Sequence, residues 1–280
     1  MSARLTDYRH DGLRFDVLDE GPLDGDAIVL LHGFPERASC WRRVAPLLHA
    51  AGYRTLAPDQ RGYSPGARPR RRRDYTVARI AGDVAALIER AEVGSAHVVG
   101  HDWGAVAAWA TATLRPDLTR TLTSVSVPHP QAFVRSLTRS TQALHSWYML
   151  GFQLPWLPER LAAKPGGEFD RSLARSGMSP DEVARFRTEI VEYGALPGAI
   201  GWYRALPFSD RHLLDAPVRV PTTMVWSTED PFVTRAAVEL TPRHVVAPYE
   251  LVVLDAVNHW IPTQAPEALA ESILERAVSR

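Results

Sequence analysis

Cysteine is nearly absent. Cys40 stands alone in 280 residues, which excludes an internal disulfide and is compatible with a reducing compartment. Net charge is absent as well: Lys and Arg total 32 and Asp and Glu total 32, so no polyanionic partner is implied. No apolar stretch approaches the length that spans a bilayer. The start, Met1-Ser2-Ala3-Arg4-Leu5-Thr6-Asp7, lacks the apolar run of a signal peptide. A cytoplasmic protein is expected, with neither a membrane nor a nucleic acid as partner. Metal spacing is missing too. His32, His101 and His129 have no second ligand at a suitable interval and read as structural, so no metal is expected. What is present, 45% hydrophobic and 23% charged residues, is the composition of a globular protein with room for one large α/β core and an inserted lid.

The most informative stretch is Val98-Val99-Gly100-His101-Asp102-Trp103-Gly104-Ala105. It reads as a buried strand, a sharp turn and the opening of a helix. Asp102 sits where a Gly-x-Ser-x-Gly elbow carries its nucleophilic serine. A serine there serves acyl transfer. A carboxylate serves displacement at an sp³ carbon, since it needs no deprotonation and forms an ester that water can later cleave. Gly100 and Gly104 remove the Cβ atoms that would collide in the turn, and the helix N-terminus helps keep Asp102 ionised.

Other strand-like runs end in polar residues in a matching order. Ile28-Val29-Leu30-Leu31 runs into His32-Gly33-Phe34-Pro35-Glu36, and Thr55-Leu56-Ala57-Pro58 runs into Asp59-Gln60-Arg61-Gly62. Met224-Val225-Trp226 leads to Glu229-Asp230, and Leu251-Val252-Val253-Leu254 leads to Asn258-His259-Trp260. Nucleophile, acid and base therefore follow in chain order, each just after a strand. Asp230 is the expected acid, with Glu229 its reserve. Backbone N–H groups of Phe34 and Trp103 are the expected oxyanion donors.

With these motifs the chain resembles the α/β-hydrolase-fold epoxide hydrolases over nearly its whole length. The resemblance implies a mostly parallel sheet flanked by helices, with a helical cap inserted. It also implies two cap tyrosines that hold the epoxide oxygen. Tyr148, in Trp147-Tyr148-Met149-Leu150-Gly151-Phe152-Gln153, matches the first, and Tyr203, in Gly201-Trp202-Tyr203-Arg204, matches the second. Either tyrosine alone reads equally as core packing. Phe34, Trp103, Trp147, Phe152, Trp202 and Trp260 are candidates for the pocket wall. Gly151 stands where larger residues are common in the family and widens the expected site.

The strand pattern divides the chain into core residues 1–130, a cap over 131–215 and core residues 216–280. Leu13–Glu20 reads as the first strand, hairpinned with residues near Ala27. Residues 75–91 read as a helix with Ile80, Val84, Leu87 and Ile88 on one face, 122–127 as a strand and 266–278 as a closing helix. Arg70-Arg71-Arg72-Arg73 reads as a solvated loop.

The implied chemistry is attack of Asp102 on an epoxide carbon, then hydrolysis of the resulting ester by water activated by His259 and Asp230. A small apolar epoxide and water are the only partners expected, with no cofactor. Two alternatives stand. A haloalkane or haloacid dehalogenase would use the same Asp-His-Asp set, but those enzymes commonly carry Asn in place of Phe34 or Arg in place of Trp103, and neither needs the tyrosines. A non-catalytic binding protein on the same fold is the other, since fold alone does not fix function.

Overall fold

The computed structural model describes residues 3–210 and 212–279. Eight strands form one sheet: β1 (Asp7–His10), β2 (Leu13–Glu20), β3 (Ala27–Leu31), β4 (Arg54–Pro58), β5 (Ala96–His101), β6 (Thr119–Val125), β7 (Thr222–Ser227) and β8 (Tyr249–Leu254). Their spatial order is β1-β2-β4-β3-β5-β6-β7-β8. Pairings from β4 to β8 are parallel, while β1 with β2 and β2 with β4 are antiparallel. Every residue of β3, β4, β5 and β7 is buried, as expected of strands covered by helices on both faces.

Local pattern accounts for most boundaries. Val77–Arg90 is helical and buries Ile80, Val84, Leu87 and Ile88 against the sheet; the turn before it, Arg72–Tyr75, is a tighter 3-10 helix. The closing helix spans Pro266–Val278, with proline at its first turn, where no backbone donor is lost. The strand expected at 122–127 runs instead from Thr119 to Val125, and it ends there because Ser126 takes a φ of 66°.

The hairpin expectation is corrected. Leu13–Glu20 pairs with β1 upstream and with β4, not with residues near Ala27. Asp11 and Gly12 between β1 and β2 have φ of 52° and 74°, the two positive values of a type I′ turn.

Between β6 and β7 the chain forms a run of helices, from Pro130–Leu137 to Leu196–Ala205, with no named strand among the described residues. The last of these helices sits on the loop after β4. The Trp202 indole donates to the Arg61 carbonyl at 2.6 Å. Gly198 and Gly62 touch backbone to backbone: a Cβ on Gly198 would lie 2.3 Å from the Gly62 oxygen. That loop is itself fixed by Arg61, whose guanidinium makes two 2.7 Å bonds to Asp83 on the Val77–Arg90 helix.

Candidate active site

β5 ends at His101 and the helix Trp103–Leu114 begins at Trp103. Asp102 between them has φ 53° and ψ −120°, a conformation that strains any residue with a Cβ and turns its side chain out of the sheet. The flanking glycines make the turn possible. A Cβ on Gly100 would lie 2.1 Å from the Gly104 oxygen, and one on Gly104 would lie 2.0 Å from the Leu31 oxygen. A third glycine, unassigned from sequence, is equally constrained: a Cβ on Gly33 would fall 2.4 Å from that of Asp102.

The loop after β8 brings His259 to this turn. Its Nδ1 lies 2.8 Å from Asp230 Oδ2, and its Nε2 faces Asp102 Oδ2 across 3.5 Å. Asp230 is held in place by the Phe232 and Val233 N–H groups, which donate to its Oδ1 at 2.8 and 3.0 Å. Glu229 beside it is exposed. Two contacts that no motif foreshadows clamp the histidine's backbone. His101 Nε2 and Ser126 Oγ both donate to the His259 carbonyl, at 2.9 and 3.0 Å. Both donors sit at strand ends, so the loop is fastened across the sheet.

Charge is arranged accordingly. Burial pushes the Asp102 carboxyl up, but the facing His259 and the Phe34 N–H pull it below the ordinary carboxylate value. Burial favours a neutral His259, yet the carboxylates on either side outweigh it and raise the imidazole to about 10. The resting pair is thus a carboxylate beside an imidazolium.

The Phe34 N–H donates to Asp102 Oδ1 at 2.7 Å. Trp103 opens its helix, so its N–H has no partner within that helix and lies next to the nucleophile. These are the two groups expected as oxyanion donors.

Tyr148 and Tyr203 come from separate helices of the inserted segment and meet with ring centroids 6.1 Å apart. Gln153 binds the two helices together by donating to the Tyr203 carbonyl at 2.7 Å. Both tyrosines line one cavity of about 1020 Å³ whose wall also includes Asp102, Trp103 and His259. Burial raises both tyrosine pKa values and the Asp102 charge adds to the effect, so both remain O–H donors at neutral pH.

The remaining pocket candidates divide. Trp147 stands at the cavity mouth and is 71% exposed. Phe34 and Phe152, also expected on the wall, are not on it: their rings pack 5.3 and 4.8 Å from that of Tyr203. Trp202 and Trp260 are not on the wall, contrary to expectation. Trp202 is buried against the Arg61 loop, and Trp260 packs edge-on to His259 while its indole donates to Ser176. Gly151 has open space around it and is not part of the wall. Phe232, which the sequence did not single out, is on the wall, 5.0 Å from the His259 ring and 5.6 Å from that of Tyr148. His32 accepts the Gln60 N–H, and His129 stacks on His244 at 4.4 Å. Among the described residues no three His, Cys, Asp or Glu are grouped to hold a metal ion, and no helix is long and apolar enough to cross a membrane.

The family model described as alpha/beta hydrolase fold matches residues 26–266. An AB hydrolase superfamily protein, YfhM, of Bacillus subtilis is 34% identical over 95% of this chain and 94% of its own. Epoxide hydrolase A of Mycobacterium tuberculosis is 30% identical, over 98% and 96%. The crystal structure of epoxide hydrolase A from Mycobacterium thermoresistibile superposes with a TM-score of 0.79 at 27% identity, covering 96% of each chain. The chain belongs to the alpha/beta hydrolase fold family, among relatives named as epoxide hydrolases.

Proposed function

We propose that the protein hydrolyses an epoxide to a vicinal diol through a covalent ester on Asp102. The observation that carries this reading is a strained-elbow carboxylate sharing one cavity with an Asp-backed histidine and two neutral tyrosine hydroxyls. The inserted segment, residues 131–215, acts as the cap over the core formed by 1–130 and 216–280. Tyr148 and Tyr203 donate to the epoxide oxygen. Asp102 attacks a ring carbon, the C–O bond breaks, and the alkoxide takes a proton from a tyrosine.

Ester formation discharges Asp102. His259 then loses one of the two negative charges that hold its proton, and the proton it gives up restores the tyrosine. Neutral His259, oriented by Asp230, takes a proton from water as that water attacks the ester carbonyl carbon. The oxyanion sits against the N–H groups of Phe34 and Trp103, each donor worth roughly 3 kcal/mol of barrier. Collapse releases the diol and returns carboxylate and imidazolium, so no cofactor enters the cycle.

The site gives a dehalogenase less support. Halide release needs N–H donors rather than two hydroxyls; the Trp103 indole could serve as one, but the Phe34 ring supplies no second. The test is turnover of an aryl epoxide, an aliphatic epoxide, a haloalkane and a haloacetate by wild type and Asp102→Asn. Diol without halide, lost in the variant, is the expected result; halide release from wild type overturns the reading.

A further inference from the structure

The inserted segment carries a surface that the chemistry at Asp102 does not use. Leu144, Trp147, Leu150, Trp156, Leu157 and Leu161 are between 46% and 75% exposed within one short stretch of chain. Isolated exposed leucines are ordinary, but a run of this density is not. Trp156 holds its indole in solvent although its φ is 57°, a left-handed conformation that a bulky residue enters at a cost in strain.

Charge on the same stretch is one-sided. Between residues 130 and 164 the exposed cations are Arg135, Arg139, Arg160 and Lys164, and the only carboxylate, Glu159, is bonded to Arg204. The exposed run Arg70–Arg73 adjoins the same rim, because the Arg73 guanidinium lies 5.3 Å from the ring centroid of exposed Phe208. Leu206 and Pro207, just before Phe208, line the cavity together with Trp147 and Leu150. That rim also carries two acids, Asp210, which accepts the His212 N–H, and Asp215, which takes Gln131 and His212, so the cationic excess lies on the segment beside the rim. In a chain of zero net charge, the exposed leucines and tryptophans of residues 144–161 thus share the stretch 130–164 with more cations than acids, and Trp147 and Leu150 carry that surface to the cavity wall.

We infer that this face docks on an anionic lipid bilayer. Leucine and indole side chains enter the headgroup boundary while the guanidinium groups meet the lipid phosphates, the composition that holds interfacial segments on membranes. This runs against the expectation from sequence that no membrane is a partner, because the balanced total charge hides the local excess. If the cavity takes an apolar epoxide, which rests on the function proposed above, docking would place its mouth where such a compound is dissolved.

The test is co-sedimentation with phosphatidylcholine vesicles containing phosphatidylglycerol, and with pure phosphatidylcholine vesicles. It uses the whole protein and needs no substrate, so its outcome is independent of the reaction. Wild type is expected to pellet with the anionic vesicles and to partition far less onto the neutral ones. Arg160→Gln with Lys164→Gln removes two cations and should weaken partitioning roughly 30-fold. Trp156→Gly together with Leu161→Ser should weaken it at least as much, and glycine is at ease with the positive φ, so this variant keeps the fold. Both variants should retain wild-type turnover of a water-dissolved epoxide. Wild type left in the supernatant, or both variants binding as wild type does, overturns the inference. So does a stable dimer that Trp156→Gly dissociates, since a second copy would then be the occupant.

Discussion

Removing the two tyrosine hydroxyls separates the half-reactions. Tyr148→Phe and Tyr203→Phe each delete one donor to the developing alkoxide and leave the ring. The Tyr203 ring contacts to Phe34, Trp103 and Phe152, at 5.3, 4.9 and 4.8 Å, survive the change, and only the bond between the hydroxyl and the Trp103 indole is lost with the oxygen. A hydrogen bond to a charged group is worth about 1.5–3 kcal/mol, so each variant should slow ester formation roughly 10- to 150-fold. The hydroxyls interact with each other, so the double variant should depart from the product of the singles. Ester hydrolysis should hold its rate, because its oxyanion faces the Phe34 and Trp103 N–H groups instead. Single-turnover tryptophan fluorescence, to which Trp103 beside the nucleophile contributes, follows both steps. Equal slowing of both steps, or a loss in ester formation below about threefold, would refute the assignment.

The charge arrangement predicts a second separation. Ester formation needs ionised Asp102, whose pKa is already lowered, so its rate should be flat between roughly pH 5 and 9. Hydrolysis needs neutral His259. In the ester that group has lost the Asp102 charge, so the hydrolysis rate should rise with pH through a value below the free enzyme's value of about 10. An identical pKa in both states would contradict this, and His259→Gln should stop at the ester, visible as added mass on the intact protein. Gly198→Ala pushes a Cβ to 2.3 Å from the Gly62 oxygen, so stability should fall by about 1–3 kcal/mol and ester formation should slow as Tyr203 shifts. An unchanged Tm and rate would show that this contact positions nothing.

Local patterns made the core legible. Buried strands β3 and β5 announce themselves as apolar runs, the closing helix by its leading proline and periodicity, and the elbow by glycines whose missing Cβ atoms the backbone requires. β1 is only four residues long, and its one clear signal is the Asp11-Gly12 turn. The cavity wall was less legible. Trp202 and Tyr203 are neighbours on one helix, about 100° apart around its axis. One therefore seats on the Arg61 loop while the other faces Asp102, and only the packing of that helix decides which. The donors that clamp the His259 carbonyl come from residues 158 and 133 positions away, beyond the reach of any motif.

The covalent ester is tested most directly by a single turnover with enzyme in excess in ¹⁸O-labelled water. Water that attacks the ester carbonyl leaves its oxygen in the Asp102 carboxylate, so the first diol should be unlabelled and the peptide bearing Asp102 should gain the label. Label in the first diol, with none on Asp102, would mean that water opens the epoxide directly and that no ester forms.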